Sequence, residues 1–367
     1  MGASDLKMAE QNTKAERLVE LDILRAFAVV AVILIHVVST ALYSFNHNSL
    51  AFKIYLSIDQ FCRFCVPLFV ALSGYSLALR YANQKINLKE FFQKRVFRIL
   101  PWYFFASFAI IAYLKLTNSP EYDSKMPLWR IIFLGKADYH LYFVPMIFQL
   151  YLLFPILLFF WRKLGIKILA GVFIFQLAFY YLLTLVSLQK INIGLFITDQ
   201  DQYLIFASWI FYFLLGITLR FLGHVPKLLK KVAVLILTLS FIWVLFDCFS
   251  TIYTSHDLIV TTRSTRIPIL FYASAFFTVS IFYGQNLLNL PKKLVAILSE
   301  LGKRSYVIYL LHTIVLRIFT AYIHLSTNFS IVFIVIATII TSNYLAEIAI
   351  STAGFLNPKI KPSDQLV

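Results

Sequence analysis

Charge is what this sequence has least of. Only 14% of its 367 residues are Asp, Glu, Lys or Arg, against about a quarter in soluble domains, which excludes an ordinary water-soluble globule. Acidic residues are scarcer still, at 17 against 33 basic ones. Cysteine is nearly absent, and Cys62, Cys65 and Cys248 cannot form the disulfide framework of a small secreted domain. The Cys62 to Cys65 spacing has a redox or metal form, but it falls in an apolar stretch with no second ligand pair. The histidines are scattered without pairs at i,i+3 or i,i+4, so no metal site is predicted.

Apolar residues fill the space. With 60% hydrophobic residues and 37 Phe, the chain reads as an all-α, polytopic transmembrane helical bundle. Spanning about 30 Å of hydrocarbon takes roughly 20 apolar residues. Ten such windows run along the chain, at 19–43, 54–79, 96–116, 141–161, 166–188, 203–222, 229–249, 267–284, 305–324 and 329–350. The net charge of +16 invites a nucleic-acid reading, yet the basic residues concentrate in alternate loops. Arg80 to Arg98, Arg162 to Lys167, Arg220 to Lys231 and Lys292 to Arg304 are rich, and most loops between them are poor. By the positive-inside rule both termini are cytoplasmic, so the balance reflects topology and no nucleic-acid partner is expected. Residues 1–17 read as a disordered cytoplasmic tail without a cleavable signal, 18–353 as the membrane domain and 354–367 as a second cytoplasmic tail.

Polar residues inside such windows are costly and mark function by default. The first window carries Arg25 and His36. Eleven helical steps return to within about 20° of the start and climb roughly 16 Å, so both share one face. The second carries Asp59 and Arg63, four apart and able to pair, then Pro67 and Ser73-Gly74, where Ser73 is either a packing residue or close to a ligand. Leu88 to Pro101 alternates Lys and Arg with Phe. That pattern reads first as an interfacial helix on the inner leaflet, while Arg95 and Arg98, three apart, also suit a phosphate. His140 opens the fourth window among aromatics, the ordinary place for an interfacial histidine. Asp199, Asp201, Asp257 and Arg263 fall in outer loops, where they either meet a polar ligand or are simply solvated. Ser305, Tyr309 and His312 form a polar stripe on the ninth window, and Asn343 and Glu347 one on the tenth. Glu347 needs an arginine or histidine partner from another helix.

Together the Arg25 to His36 spacing, Phe69 to Gly74, Arg95 and Arg98 before Pro101, His140-Leu-Tyr-Phe143, Ser305 to His312 and the late glutamate resemble the acyltransferase type 3 family of integral-membrane acyltransferases. The resemblance covers nearly the whole chain in order. It implies an enzyme of a bacterial plasma membrane that takes an acyl group, usually acetyl, from cytoplasmic acyl-CoA to a hydroxyl of a cell-envelope glycan, such as an exopolysaccharide. Many relatives also carry an extracytoplasmic esterase-like domain that this sequence lacks, so the membrane part or a separate partner would complete the transfer. The expected partners are acyl-CoA, a glycan or lipid-linked sugar acceptor, membrane lipid, and envelope-polysaccharide biosynthesis proteins.

The residues fit that implication. Arg25 lies in the inner leaflet and His36 past the midplane, so Arg25, Arg95 and Arg98, with Ser73, are expected to hold acyl-CoA at the inner face. His36 then takes the acceptor's proton, or carries the acyl group itself. Glu347 and Asp59 are the carboxylates available to orient its ring, and Asp59, His140, Tyr309 and His312 are expected on the acceptor side. The rival class is an exporter of glycan or lipid-linked sugar without covalent chemistry, which a polar-lined helical bundle also suits.

Overall fold

The first helix, α1 (Val19–Leu42), is apolar on nearly every side. Such a helix must be covered on nearly every side. It lies against α2 (Leu50–Cys62), α3 (Cys65–Tyr81), α12 (Lys292–Lys303), α13 (Ser305–Tyr322) and α14 (Asn328–Leu356). Of its membrane-length window 78% is buried, against 22% for α9 (Lys227–Ser255). α1 is thus an axle of the bundle, and α9 turns Leu235, Ile242 and Phe246 outward, as a lipid-facing helix does.

The computed structural model describes residues 18–187, 201–223, 225–324 and 328–356. The tail expected at 1–17, all but three residues of the one expected at 354–367, and Asp199 lie outside these. Every regular element in the described residues is helical. Besides those named, they are α4 (Leu88–Leu116), α5 (Leu128–Phe133), α6 (Phe143–Leu164), α7 (Ile166–Ser187), α8 (Ile210–Phe221), α10 (Leu258–Thr261) and α11 (Ile267–Tyr283). Nine helical segments of the described residues are long and apolar enough to cross a membrane: α1, the α2–α3 pair, α4, α6, α7, α9, α11, α13 and α14. The stretch expected to span at 203–222 holds only the 12 residues of α8 as α-helix, after two short 3₁₀ turns. Twelve residues reach about 18 Å, and α8 is packed into the core instead.

Two local features shape the site. The second window is broken at Arg63-Phe64. Pro67 is the cause in the sequence, because its ring clashes with the carbonyl four residues back, that of Arg63, and in the new helix Pro67 sits harmlessly in the first turn. Glycine then sets the helix spacing. A Cβ on Gly74 of α3 would lie 2.1 Å from the Phe213 carbonyl oxygen of α8, and one on Gly216 would lie 2.0 Å from that of Ala71. The two backbones touch, as in small-residue membrane packing. Gly302 brings α12 equally close to the carbonyl of Asp22.

Segment 88–100, read as an amphipathic interfacial stretch, runs straight into the third membrane helix. It is the first half of a continuous 29-residue helix, α4, with Pro101 inside it. One side of that half meets the core through Phe91, Arg95 and Ile99.

Candidate active site

α1 and α13 run in the same direction, so that the stripe Arg25 to His36 meets the stripe Ser305 to His312. At one end Arg25 shares a cavity with Ser305, Tyr306 and Tyr309. At the other, His36 and His312 stack with ring centroids 5.2 Å apart. The shared face expected of Arg25 and His36 is the face the bundle uses.

The arginine end is built on α1, α3 and α4. Arg25 donates to Asp22 Oδ1 at 2.7 Å and to Ser76 Oγ at 2.8 Å, so one turn of α1 and one of α3 hold its fork. Arg95 is 4% exposed. It lies over the rings of Phe91, at 4.6 Å, and Tyr81, at 6.0 Å. Both terminal guanidinium nitrogens are buried without a hydrogen-bond partner among the described residues. A buried cation in that state is costly, and the space beside it explains the tolerance. Arg95 and Arg98 line a small cleft with Ser73, Ser76 and Tyr151.

That cleft continues inward. Ser73, Ile99 and Tyr151 also line a second, narrow cavity of about 40 Å³, with Arg25, Phe69, Phe143, Ser305 and Tyr309. The Tyr151 hydroxyl stands 3.5 Å from Ser73 Oγ where the two meet. The inner cavity is walled mainly by aromatic and aliphatic side chains, with hydroxyls at intervals.

Tyr309 ends this channel. Its hydroxyl donates to the His140 carbonyl oxygen, its ring is 5.2 Å from that of His140 and 5.9 Å from that of His312, and its own carbonyl oxygen lies 2.6 Å from His312 Nδ1. His140 and His312 rings are 5.0 Å apart, edge to face. Three histidines from α1, α13 and the loop before α6 thus form one seam. Their rings meet by faces and edges, and among the described residues no group of three or more His, Cys, Asp or Glu is placed to hold a metal ion. Burial, followed by the nearby Arg317 charge, pulls the protonation of His140 down to about 3, so this ring is neutral.

Beyond the seam lies a wider space. Tyr139 packs edge-on against His36 at 4.8 Å and lines a cavity of about 540 Å³ with Glu121, Asp138, Tyr142 and Tyr203. Arg317 of α13 holds this wall, pairing at 2.7 Å with both Glu121 and Asp138.

The bundle brings together Arg25, His36, Ser73, Arg95, Arg98, His140, Tyr309 and His312. It does not bring in two residues expected beside His36. Glu347 is half exposed and pairs with Arg304 at 3.0 Å, at the opposite end of α13 from the histidines. The reason is helical rise: Arg304 opens α13, two turns before His312. The arginine partner foreseen for Glu347 exists, but a role in orienting His36 does not follow. Asp59 is fully buried and spent on Arg63, at 2.7 and 2.8 Å from Nη2 and 3.0 Å from Nε. It reaches α1 only through Ser39 Oγ, at 2.8 Å, one turn beyond His36. It lines neither the channel nor the wider cavity, so an acceptor contact is not supported. His140 is 2% exposed, so the interfacial reading is corrected as well: a polar loop folds it inward, where Tyr309 takes its carbonyl. Asp257, left open between ligand and solvent, caps α10 by accepting from Ile259 and Val260 N–H.

The sequence reading passed over Asp22, Ser76, Tyr139 and Arg317. Spacing offered a signal for the first two, since Asp22 precedes Arg25 by one turn and Ser76 follows Ser73 by one. Tyr139 and Arg317 had none, because their roles depend on how the loop before α6 folds back.

A buried polar seam between two cavities, inside a bundle of membrane-length helices, defines a multi-pass membrane protein with an enzyme-like site. Residues 18–347 match the family model described as an acyltransferase domain. The chain belongs to the acyltransferase type 3 family, as the motifs suggested. No curated protein and no solved structure matches it.

Proposed function

We propose that this protein transfers an acyl group, most simply acetyl, from acyl-CoA to a hydroxyl of an envelope glycan at a bacterial plasma membrane. One observation carries the donor assignment. The two terminal nitrogens of Arg95 are buried and unpartnered among the described residues, and Arg95 lines a cleft that runs on to Tyr309, beside the histidine seam. A phosphate there would receive bidentate hydrogen bonds, and Arg98 and Arg25 add positive charge beside it. The pantetheine arm then follows the apolar channel past Ser73 and Tyr151, and the thioester arrives at Tyr309.

The acceptor enters from the other side, through the cavity lined by Tyr139. Its tyrosines offer flat apolar faces and its carboxylates accept hydrogen bonds, which matches the alternating apolar and hydroxyl surfaces of a sugar. On this reading the arginine end is cytoplasmic. The start of α1, about two turns before Arg25, and the end of α14, where Glu347 meets Arg304 at the start of α13, would then lie on that same side. The hydroxyl loses its proton to the seam as it attacks, a contribution of about 10²–10⁴-fold for a positioned base.

The test uses purified protein in proteoliposomes with labelled acetyl-CoA on the arginine side and an envelope glycan acceptor. Wild type is expected to release CoA and label the glycan, and His36→Ala to lose at least about 100-fold of both. Wild type that moves no label from any acyl-CoA would overturn the reading and favour an exporter, which needs no acyl donor.

A further inference from the structure

The seam contains two stacked histidines, and the transfer reaction needs two different services there. One group must accept the hydroxyl proton. Another must donate to the thioester oxygen as negative charge gathers on it.

The structure distinguishes the two rings. His312 is fully buried, and its Nδ1 lies 2.6 Å from the Tyr309 carbonyl oxygen. A carbonyl oxygen can only accept, so Nδ1 carries the hydrogen and, in the neutral ring, Nε2 carries the lone pair. That nitrogen is buried and has no hydrogen-bond partner among the described residues. His312 therefore presents a fixed acceptor toward the seam. His36 is only partly buried, its nitrogens make no hydrogen bond among the described residues, and stacking on His312 and Tyr139 alone holds it. Its tautomer is free, so its N–H is available as a donor.

We propose that His312 is the catalytic base and that His36 is the donor to the thioester oxygen, a division that rests on the acyl-transfer reading. As the acceptor oxygen bonds to the thioester carbonyl carbon, its O–H bond breaks and the proton passes to His312 Nε2. The carbonyl electron pair moves to oxygen, facing the His36 N–H. Collapse re-forms the C=O bond and breaks the C–S bond, and the imidazolium of His312 returns its proton to the CoA sulfur. The products are an ester and a thiol, and both histidines regain their starting state. Tyr309 is a positioning residue, since its carbonyl holds the base and its hydroxyl ties down the loop bearing His140.

The experiment compares alanine and glutamine at each histidine in full-length protein in proteoliposomes, reading acyl transfer and, separately, acyl-CoA binding. An amide side chain keeps an N–H donor but is no base. His36→Gln is therefore expected to retain at least tenfold more transfer than His36→Ala. His312→Gln should be as inactive as His312→Ala, each down about 100-fold or more with acyl-CoA binding intact. Added imidazole should restore part of the activity of His312→Ala and none of that of His312→Gln, whose side chain fills the space. Near wild-type transfer by His312→Gln, or His36→Gln as inactive as His36→Ala, would overturn the division of roles. Retained acyl-CoA binding identifies a folded variant. Failure of the acyl-transfer reading itself shows separately, as a wild type without acyl-CoA-dependent transfer.

Discussion

The bundle buries arginines in two ways. Around the α2–α3 break, Arg63 and Arg266 each have a carboxylate. Arg63 pairs with Asp59, and Arg266 joins Asp247 and Gln60, tying α2 to α9 and α11. At the start of α4, Arg95 is buried as deeply, yet among the described residues it meets the faces of Phe91 and Tyr81 and no carboxylate. The first arrangement is complete without any ligand. The second leaves two buried nitrogens open among the described residues, and the proposed acyl-CoA phosphate would complete it.

The comparison breaks first at Asp59. Asp59→Ala would leave Arg63 buried and unpaired, a change worth about 3–5 kcal/mol. Loss of folded protein, by size-exclusion profile and thermal melting in detergent, is the expected outcome. Replacing both residues with Leu and Met should recover most of that stability, because an apolar pair of similar volume is often neutral. If Asp59→Ala melts like wild type, pairing is not what distinguishes the two regions.

Arg95→Met sharpens the contrast from the other side. Removing an unsatisfied buried cation should raise the melting temperature of the ligand-free protein. It should also weaken acyl-CoA binding by about 10- to 100-fold, the range for hydrogen bonds to charged groups of about 1.5–3 kcal/mol. Unchanged affinity in a calorimetric titration would return α4 to a purely structural role.

A smaller effect is expected from His140. Its folded-state protonation near 3 lies below the unfolded value of about 6.5. The stability it contributes is therefore fully present above pH 6.5 and is lost as pH falls toward 3. Between pH 7 and 5.5 that amounts to about 1 kcal/mol. Melting curves of His140→Asn should show a weaker decline over this window than wild type; an identical decline would mean that other groups carry it.

Glu347→Gln should do least. Its pair with Arg304 is half exposed, and such pairs contribute about 0–1 kcal/mol. Transfer activity within twofold of wild type would agree with its distance from the histidines, whereas a large loss would restore it to the mechanism.

Much of this was legible from residues alone, for identifiable reasons. Pro67 and the four-residue spacing of Asp59 and Arg63 encode the broken second helix and its ion pair. The eleven-residue step from Arg25 to His36, and the seven-residue step from Ser305 to His312, fix two faces by helical period. Glu347 misled because a buried carboxylate pattern names a need for a cation without naming which one. His140 misled because an aromatic-flanked histidine looks the same at an interface and in a core.

The sequence by itself determined the class of the protein, its apolar helices, the faces carrying its polar residues and its family. Those depend on local period and composition, and a helix expresses them wherever it packs. Tertiary structure alone decided which faces meet. It stacked His36 on His312, fixed the His312 tautomer through the Tyr309 carbonyl, and folded the 117–142 loop over α13 through Arg317. It also left Arg95 without a carboxylate among the described residues, since the packing of α4 against α3 and α6 determines what lies beside that guanidinium.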